Sequence, residues 1–142
     1  MKRNLPVTGK ELRFTGSIIS RTDLKGSIVS GNEAFFAISG FAPDELVGKS
    51  HNMIRHPEMP PRVFAELWRT LESGQPWHGV IKNRCRSGDH YWVEAFVTPT
   101  FDADGVACGY KSVRKVPARS LVVEAERRYA AMLAEDSAKG EG

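Results

Sequence analysis

Hydrophobic positions fall into short runs whose period switches between two and the three-to-four of a helix. The runs 17–22 and 27–30 are β-branched and joined by Asp23-Leu24-Lys25-Gly26, a polar turn ending in glycine. That pattern predicts a hairpin. Asn32 precedes the segment 33–38 and Gly40 follows it, which is N-cap and C′ chemistry around a helix of two turns. A second short helical piece over 43–47 stops at Gly48, and residues 49–61 show neither period. Pro60 and Pro61 then open a helix whose Val63, Phe64, Leu67, Trp68 and Leu71 form one apolar stripe before Gly74.

The second half reads as three strands. Over 79–86 the period is two, so Gly79, Ile81, Asn83 and Cys85 share one face, while Lys82, Arg84 and Arg86 share the other, expected to be the wet one. Ser87-Gly88-Asp89 turns the chain into a strand over 90–100. Asp102-Ala103-Asp104-Gly105 turns it again into 106–116, and Pro117 closes the sheet region. Residues 118–135 read as an amphipathic helix with Leu121, Ala125, Tyr129 and Met132 on one stripe, and residues 138–142 are expected to fray. Two strands, short helices, three strands and a terminal helix make an α+β fold with a mostly antiparallel sheet.

Composition narrows the class without changing this outline. The 142 residues suit one domain, and 41% hydrophobic residues with 13 glycines describe a globular chain rather than a disordered one. A net charge of +3 is too diffuse to argue for nucleic acid. Cys85 and Cys108 have no metal or redox spacing, so reduced thiols in a cytoplasm are expected, and no apolar run approaches the ~20 residues of a membrane helix. Residues 1–14 are expected to be an arm or cap, 15–116 the domain, and 117–142 a helix for a partner with a frayed tail.

Two places carry candidate chemistry. Asn83 lies on the inward face of its strand, where a buried amide must find partners: a neighbouring backbone group, or a ligand offering a donor and an acceptor at one edge. Gly79 on that face is expected to leave room for a flat group. The segment 50–61 holds His51, Arg55, His56 and Glu58 just before a helix N-terminus. This composition suits phosphate, with a solvated loop as the structural alternative; the histidine spacing is poor for zinc. No hydrolase or nucleotide-loop motif is present, so an enzyme is not expected.

Several of these runs resemble a known family. The stretch 23–35 with Ser39-Gly40-Phe41 and 45–49 is similar to the N-terminal half of a PAS domain. His51-Asn52-Met53-Ile54-Arg55-His56-Pro57-Glu58-Met59-Pro60, followed by Phe64, Leu67-Trp68, Pro76-Trp77, Lys82-Asn83-Arg84 and 88–93, resembles the PAS sensors of bacterial aerotaxis receptors. The resemblance spans residues 15–133. It implies a PAS fold: a five-stranded antiparallel sheet flanked by short helices, with a C-terminal amphipathic helix. It also implies non-covalent FAD whose redox state reports on respiration or oxygen. Carried over residue by residue, it assigns the cofactor to Asn32, His51, Arg55, His56, Glu58 (where the family has Asp), Phe64, Trp68 and Asn83. The expected partner is a chemoreceptor-like signalling protein in trans, or a second copy in a homodimer, with neither nucleic acid nor direct membrane insertion; membrane association would come through the receptor. A haem-binding gas sensor and a ligand-free dimerisation module are the alternatives. A light-driven cysteine adduct is not expected, because 51–60 contains no Cys.

Overall fold

The computed structural model describes residues 8–141, with side chains over 8–138. The strands are β1 Ile18–Thr22, β2 Ile28–Gly31, β3 Trp77–Arg84, β4 His90–Phe101 and β5 Ala107–Lys115. The helices are α1 Glu33–Ser39, α2 Pro43–Leu46, α3 Pro61–Glu72 and α4 Arg119–Glu141, and a single 3-10 turn spans His51–Ile54. Among the described residues the strands make one antiparallel sheet in the order β2-β1-β5-β4-β3. This is the α+β architecture expected, with α1 to α3 inserted between the two halves of the sheet.

Local chemistry explains the elements. Asn32 caps α1 by accepting the Phe35 N–H at 3.0 Å; it also accepts the Ile19 N–H and donates to the Ser17 carbonyl. One amide therefore ends β2, starts α1 and ties both to β1. Gly40, at φ 77°, closes α1 in the left-handed conformation that glycine adopts without strain. α3 begins at Pro61 and buries Val63, Leu67 and Leu71 toward the sheet.

Register decides which side chains meet. Ile18 pairs with Arg114 and Ser20 with Ser112 across β1 and β5; Ala95 pairs with Arg114 and Val97 with Ser112 across β4 and β5. Ile81 faces Val93 and Asn83 faces Tyr91 across β3 and β4. The inner face formed in this way carries Ile81, Val93, Ala95 and Val97 into the core with Ile28, Phe35, Leu46, Ile54 and Leu67.

Three expectations change. The basic face of β3 is wet only at its end: Arg86 keeps 55% of its side chain exposed, whereas Lys82 keeps 12%, beneath residues 56–59 and over the Trp92 ring. Gly79 leaves no room for a ligand, because the Trp77 indole occupies that space, 2.3 Å from where a Cβ would lie. Of the two readings of the N-terminal segment, arm or cap, its described part is the cap: the N–H groups of Thr8 and Leu12 donate to the carbonyls of Gly88 and His90, and the His90 N–H donates to the Lys10 carbonyl. Finally, α4 buries Val122, Ala125 and Tyr129, with Leu121 and Met132 at the margins, and continues to Glu141 where fraying was expected. The arm before residue 8 and residue 142 lie outside the described residues.

Candidate ligand-binding site

The inner face of the sheet, the turn at 51–55 and α3 enclose a cleft of about 690 Å³, counted out to its open mouth. That figure takes in solvent at the mouth; the enclosed space is about 90 Å³, below the ~300–1,000 Å³ of small-molecule sites, so a ligand the size of a flavin needs the walls to move apart. Its floor is Ser20, Ile81, Val97, Ser112 and Arg114 from the strands, and its walls are His51, Arg55, Phe64, Leu67 and Trp68. The turn that carries His51 is pinned to the β1–β2 hairpin: Ser50 bridges to Ser27, its hydroxyl accepts the Asn52 N–H, and the His51 N–H donates to the Gly26 carbonyl at 3.1 Å.

Arg114 dominates the electrostatics. It is 2% exposed on the inner face, flanked by Ile18 and Ala95. Its Nη2 donates to Ser20 Oγ at 2.7 Å, and its Nη1 lies 3.2 Å from His51 Nε2. A guanidinium only donates, so His51 Nε2 is the acceptor and that ring is neutral. Burial, then the charge of Arg114, pulls His51 down to about 3, while burial draws Arg114 itself to about 10. At neutral pH the site therefore holds a charged arginine beside a neutral histidine. Among the described residues Arg114 Nε has no hydrogen-bond partner, and no carboxylate lines the cleft.

A second cation sits nearby. The Arg55 guanidinium lies 3.6 Å over the Phe64 ring, and its buried Nε is likewise without a partner. Arg55 is held by an antiparallel bridge to Asn83, which is buried at the β3 edge. Trp68 stands edge-on to Tyr110, ring centroids 5.4 Å apart, and packs on the β1–β2 turn at Gly26. Two cations, neutral donors and acceptors, and flat apolar walls together suit an aromatic ligand with anionic or acceptor-rich parts.

Five of the eight residues assigned from sequence line this cleft: His51, Arg55, Phe64, Trp68 and Asn83. The structure places the other three elsewhere. Asn32 is engaged in the α1 cap. His56, 1% exposed, packs on the opposite side of the sheet edge against His90, and Glu58 reaches out to Lys82 with 68% of its side chain exposed. Arg114, Ser20, Ser112 and Tyr110 went unnoticed in the sequence. Counting a period of two through 106–116 was the available signal, since it puts Tyr110, Ser112 and Arg114 on one face.

Comparison with known proteins agrees with this architecture. A family model described as the PAS fold matches residues 28–114. The chain belongs to the PAS family. Its PAS domain is 41% identical over 123 residues to the aerotaxis receptor of Escherichia coli strain K12, covering 87% of this chain and 24% of the receptor. The chain thus spans about a quarter of the length of that relative. Among solved structures, a PAS domain from Colwellia psychrerythraea superposes with TM-score 0.65 at 21% identity, covering 72% of this chain and 87% of that one. A structure entitled "Flavin Analogue Sheds Light on Light-Oxygen-Voltage Domain Mechanism" gives TM-score 0.63 at 22% identity, covering 87% of each chain. No helix among the described residues is long and apolar enough to cross a membrane.

Proposed function

We propose that this PAS domain binds FAD non-covalently in the cleft and reports the redox state of the flavin to a chemotaxis-type signalling protein in trans. The observation that carries the reading is the pair of guanidinium groups, Arg55 and Arg114, each with a buried Nε lacking a partner among the described residues, none of which brings a carboxylate to the cleft lining. Such groups are costly unless a ligand satisfies them. A flavin supplies one- and two-electron redox chemistry when bound. Asn83 offers a donor and an acceptor for the polar edge of the ring, Trp68 a flat face, and Arg55 a cation matched to a diphosphate. Arg114 favours any negative charge the ring gains on reduction. The likeness to the aerotaxis receptor and to the light-oxygen-voltage domain supports the same assignment.

The haem alternative is weaker: among the described residues His51 is the only histidine lining the cleft, and its Nε2 already accepts from Arg114. For a partner, both sheet edges are covered, β2 by residues 48–51 and β3 by residues 55–59 and Tyr129. The outer face remains, where register aligns Ile19, Val113, Phe96 and His78 in one row beside Arg21, Lys111 and Lys115, with Glu94 opposite Lys115 and bonded to His78. Its positive excess favours an acidic signalling partner over a second copy. Heat-denaturing the purified chain should release FAD identifiable by chromatography. A colourless protein that also fails to take up added FAD refutes the reading.

A further inference from the structure

Arg55 and His56 are neighbours in sequence and face opposite sides of the sheet edge. Arg55 lines the cleft, whereas His56 is buried outside it with its ring 6.0 Å from that of His90. Residues 55–59 run along β3 as a false strand. Arg55 bridges to Asn83, the His56 N–H donates to the Lys82 carbonyl at 3.4 Å, and the Lys82 N–H donates to Met59 Sδ at 3.4 Å. The Lys82 ammonium donates to Glu58 Oε1 at 2.6 Å. The imidazole closes this turn on itself, since His56 Nδ1 accepts the Glu58 N–H at 3.0 Å and the His56 carbonyl accepts the Met59 N–H.

We propose that His56 is a positioning residue: from the far side of the β3 edge it locks residues 55–59 against the sheet, and so sets Arg55 and Asn83 in the cleft. That these two residues then meet a flavin rests on the function proposed above; the lock itself does not.

The lock requires a neutral ring. With Nδ1 accepting, the proton sits on Nε2; a second proton would put a donor against the Glu58 N–H. The charged groups facing the ring are Lys82 and Arg84 from β3, His90 from β4 and Glu58 from its own turn. Behind His90 stand Glu11 of the arm, 3.9 Å from His90 Nε2 and paired with Arg119 of α4, and Glu126 of α4. Burial, then Lys82, outweighs Glu58 and holds His56 down to about 4.

Asparagine presents its Oδ1 from the same Cγ that carries Nδ1 in histidine, so His56→Asn keeps the acceptor and His56→Leu removes it. At pH 7, His56→Leu is expected to weaken FAD binding about tenfold or more, the effect of one lost hydrogen bond, and to raise amide exchange across 55–59. His56→Asn is expected to stay within about threefold of wild type on the same scale. Exchange protection of 55–59 should fall in the wild type as pH drops toward 4 and stay level in His56→Asn. Wild-type FAD affinity in His56→Leu, or an equal loss in His56→Asn and His56→Leu, overturns the proposal. If the wild type takes up no FAD, the flavin reading fails while the exchange measurements still decide the lock. If His56→Leu does not fold, His56→Asn and the pH series decide it.

Discussion

Replacing Arg114 by methionine separates a ligand-binding role from a structural one, because the two predict opposite changes. The guanidinium is 2% exposed, and burial draws its pKa from 12.5 to about 10. At about 1.4 kcal/mol per unit, carrying that charge costs the ligand-free fold about 3 kcal/mol. Against this stand the charge-assisted bonds to Ser20 Oγ and His51 Nε2, worth about 1.5–3 kcal/mol each. After the substitution Ser20 Oγ, 3.3 Å from His51 Nε2, can satisfy the histidine by itself, and the flexible thioether fills similar volume. The two sides nearly cancel, so the ligand-free stability of Arg114→Met should lie within about 2 kcal/mol of wild type. Affinity for FAD should fall by about 10- to 100-fold, the worth of a charge-assisted bond of ~1.5–3 kcal/mol. Flavin fluorescence titration and urea unfolding of flavin-stripped protein measure the two quantities. A stability loss above ~3 kcal/mol with unchanged FAD affinity would refute the reasoning, since that is the signature of a broken structural pair.

Three further outcomes are expected. Asn83→Ala should weaken flavin retention through gel filtration; full occupancy in that variant would make the amide purely structural. Gly26→Ala should destabilise the fold by roughly 1–2 kcal/mol, because the position is left-handed, and should loosen flavin as well, because the new Cβ would meet the Trp68 ring at 3.0 Å; an unchanged melting temperature would contradict this. His51 and His56 are held at about 3 and about 4, below the ~6.5 of an unfolded histidine, so between those values the unfolded chain binds more protons. Their contribution to stability is complete above pH 6.5 and is lost as pH falls toward 3–4, by up to ~1.4 kcal/mol per pH unit for each histidine. A melting temperature that is flat or rising from pH 7 to pH 4 would count against it.

The parts of this molecule legible in the sequence are those that local chemistry decides. Asn32 and Gly40 bracket α1 because a cap and a left-handed stop need only their neighbours. The period-two reading of 79–86 put Asn83 inward correctly, since alternation along one strand is a local property. What sequence could not weigh was which element covers the opposite face. Lys82 read as wet until residues 56–59 are folded over it, and Gly79 read as open space until the indole of Trp77, two residues earlier on the same strand, lies across it.

Arg114 was missed and His56 misplaced for one shared reason. A charged residue in a terminal strand draws no attention as a core group, and a histidine in a charged loop is expected to face the ligand. Each expectation treats a side chain as belonging to its own segment. In the fold, Arg114 is fixed by pairing with Ile18, ninety-six residues away, and with Ala95, while His56 is turned outward by the bridge that holds Arg55 inward at Asn83. Direction at both positions is set by long-range register, and the consequence is chemical. The cleft receives two cations and a neutral histidine, and the titratable pair His56 and His90 is sequestered behind it. A ligand that drew Arg55 away from Asn83 would strain the turn at His56, and the nearest groups beyond that ring are His90, Glu11 and Arg119 of α4.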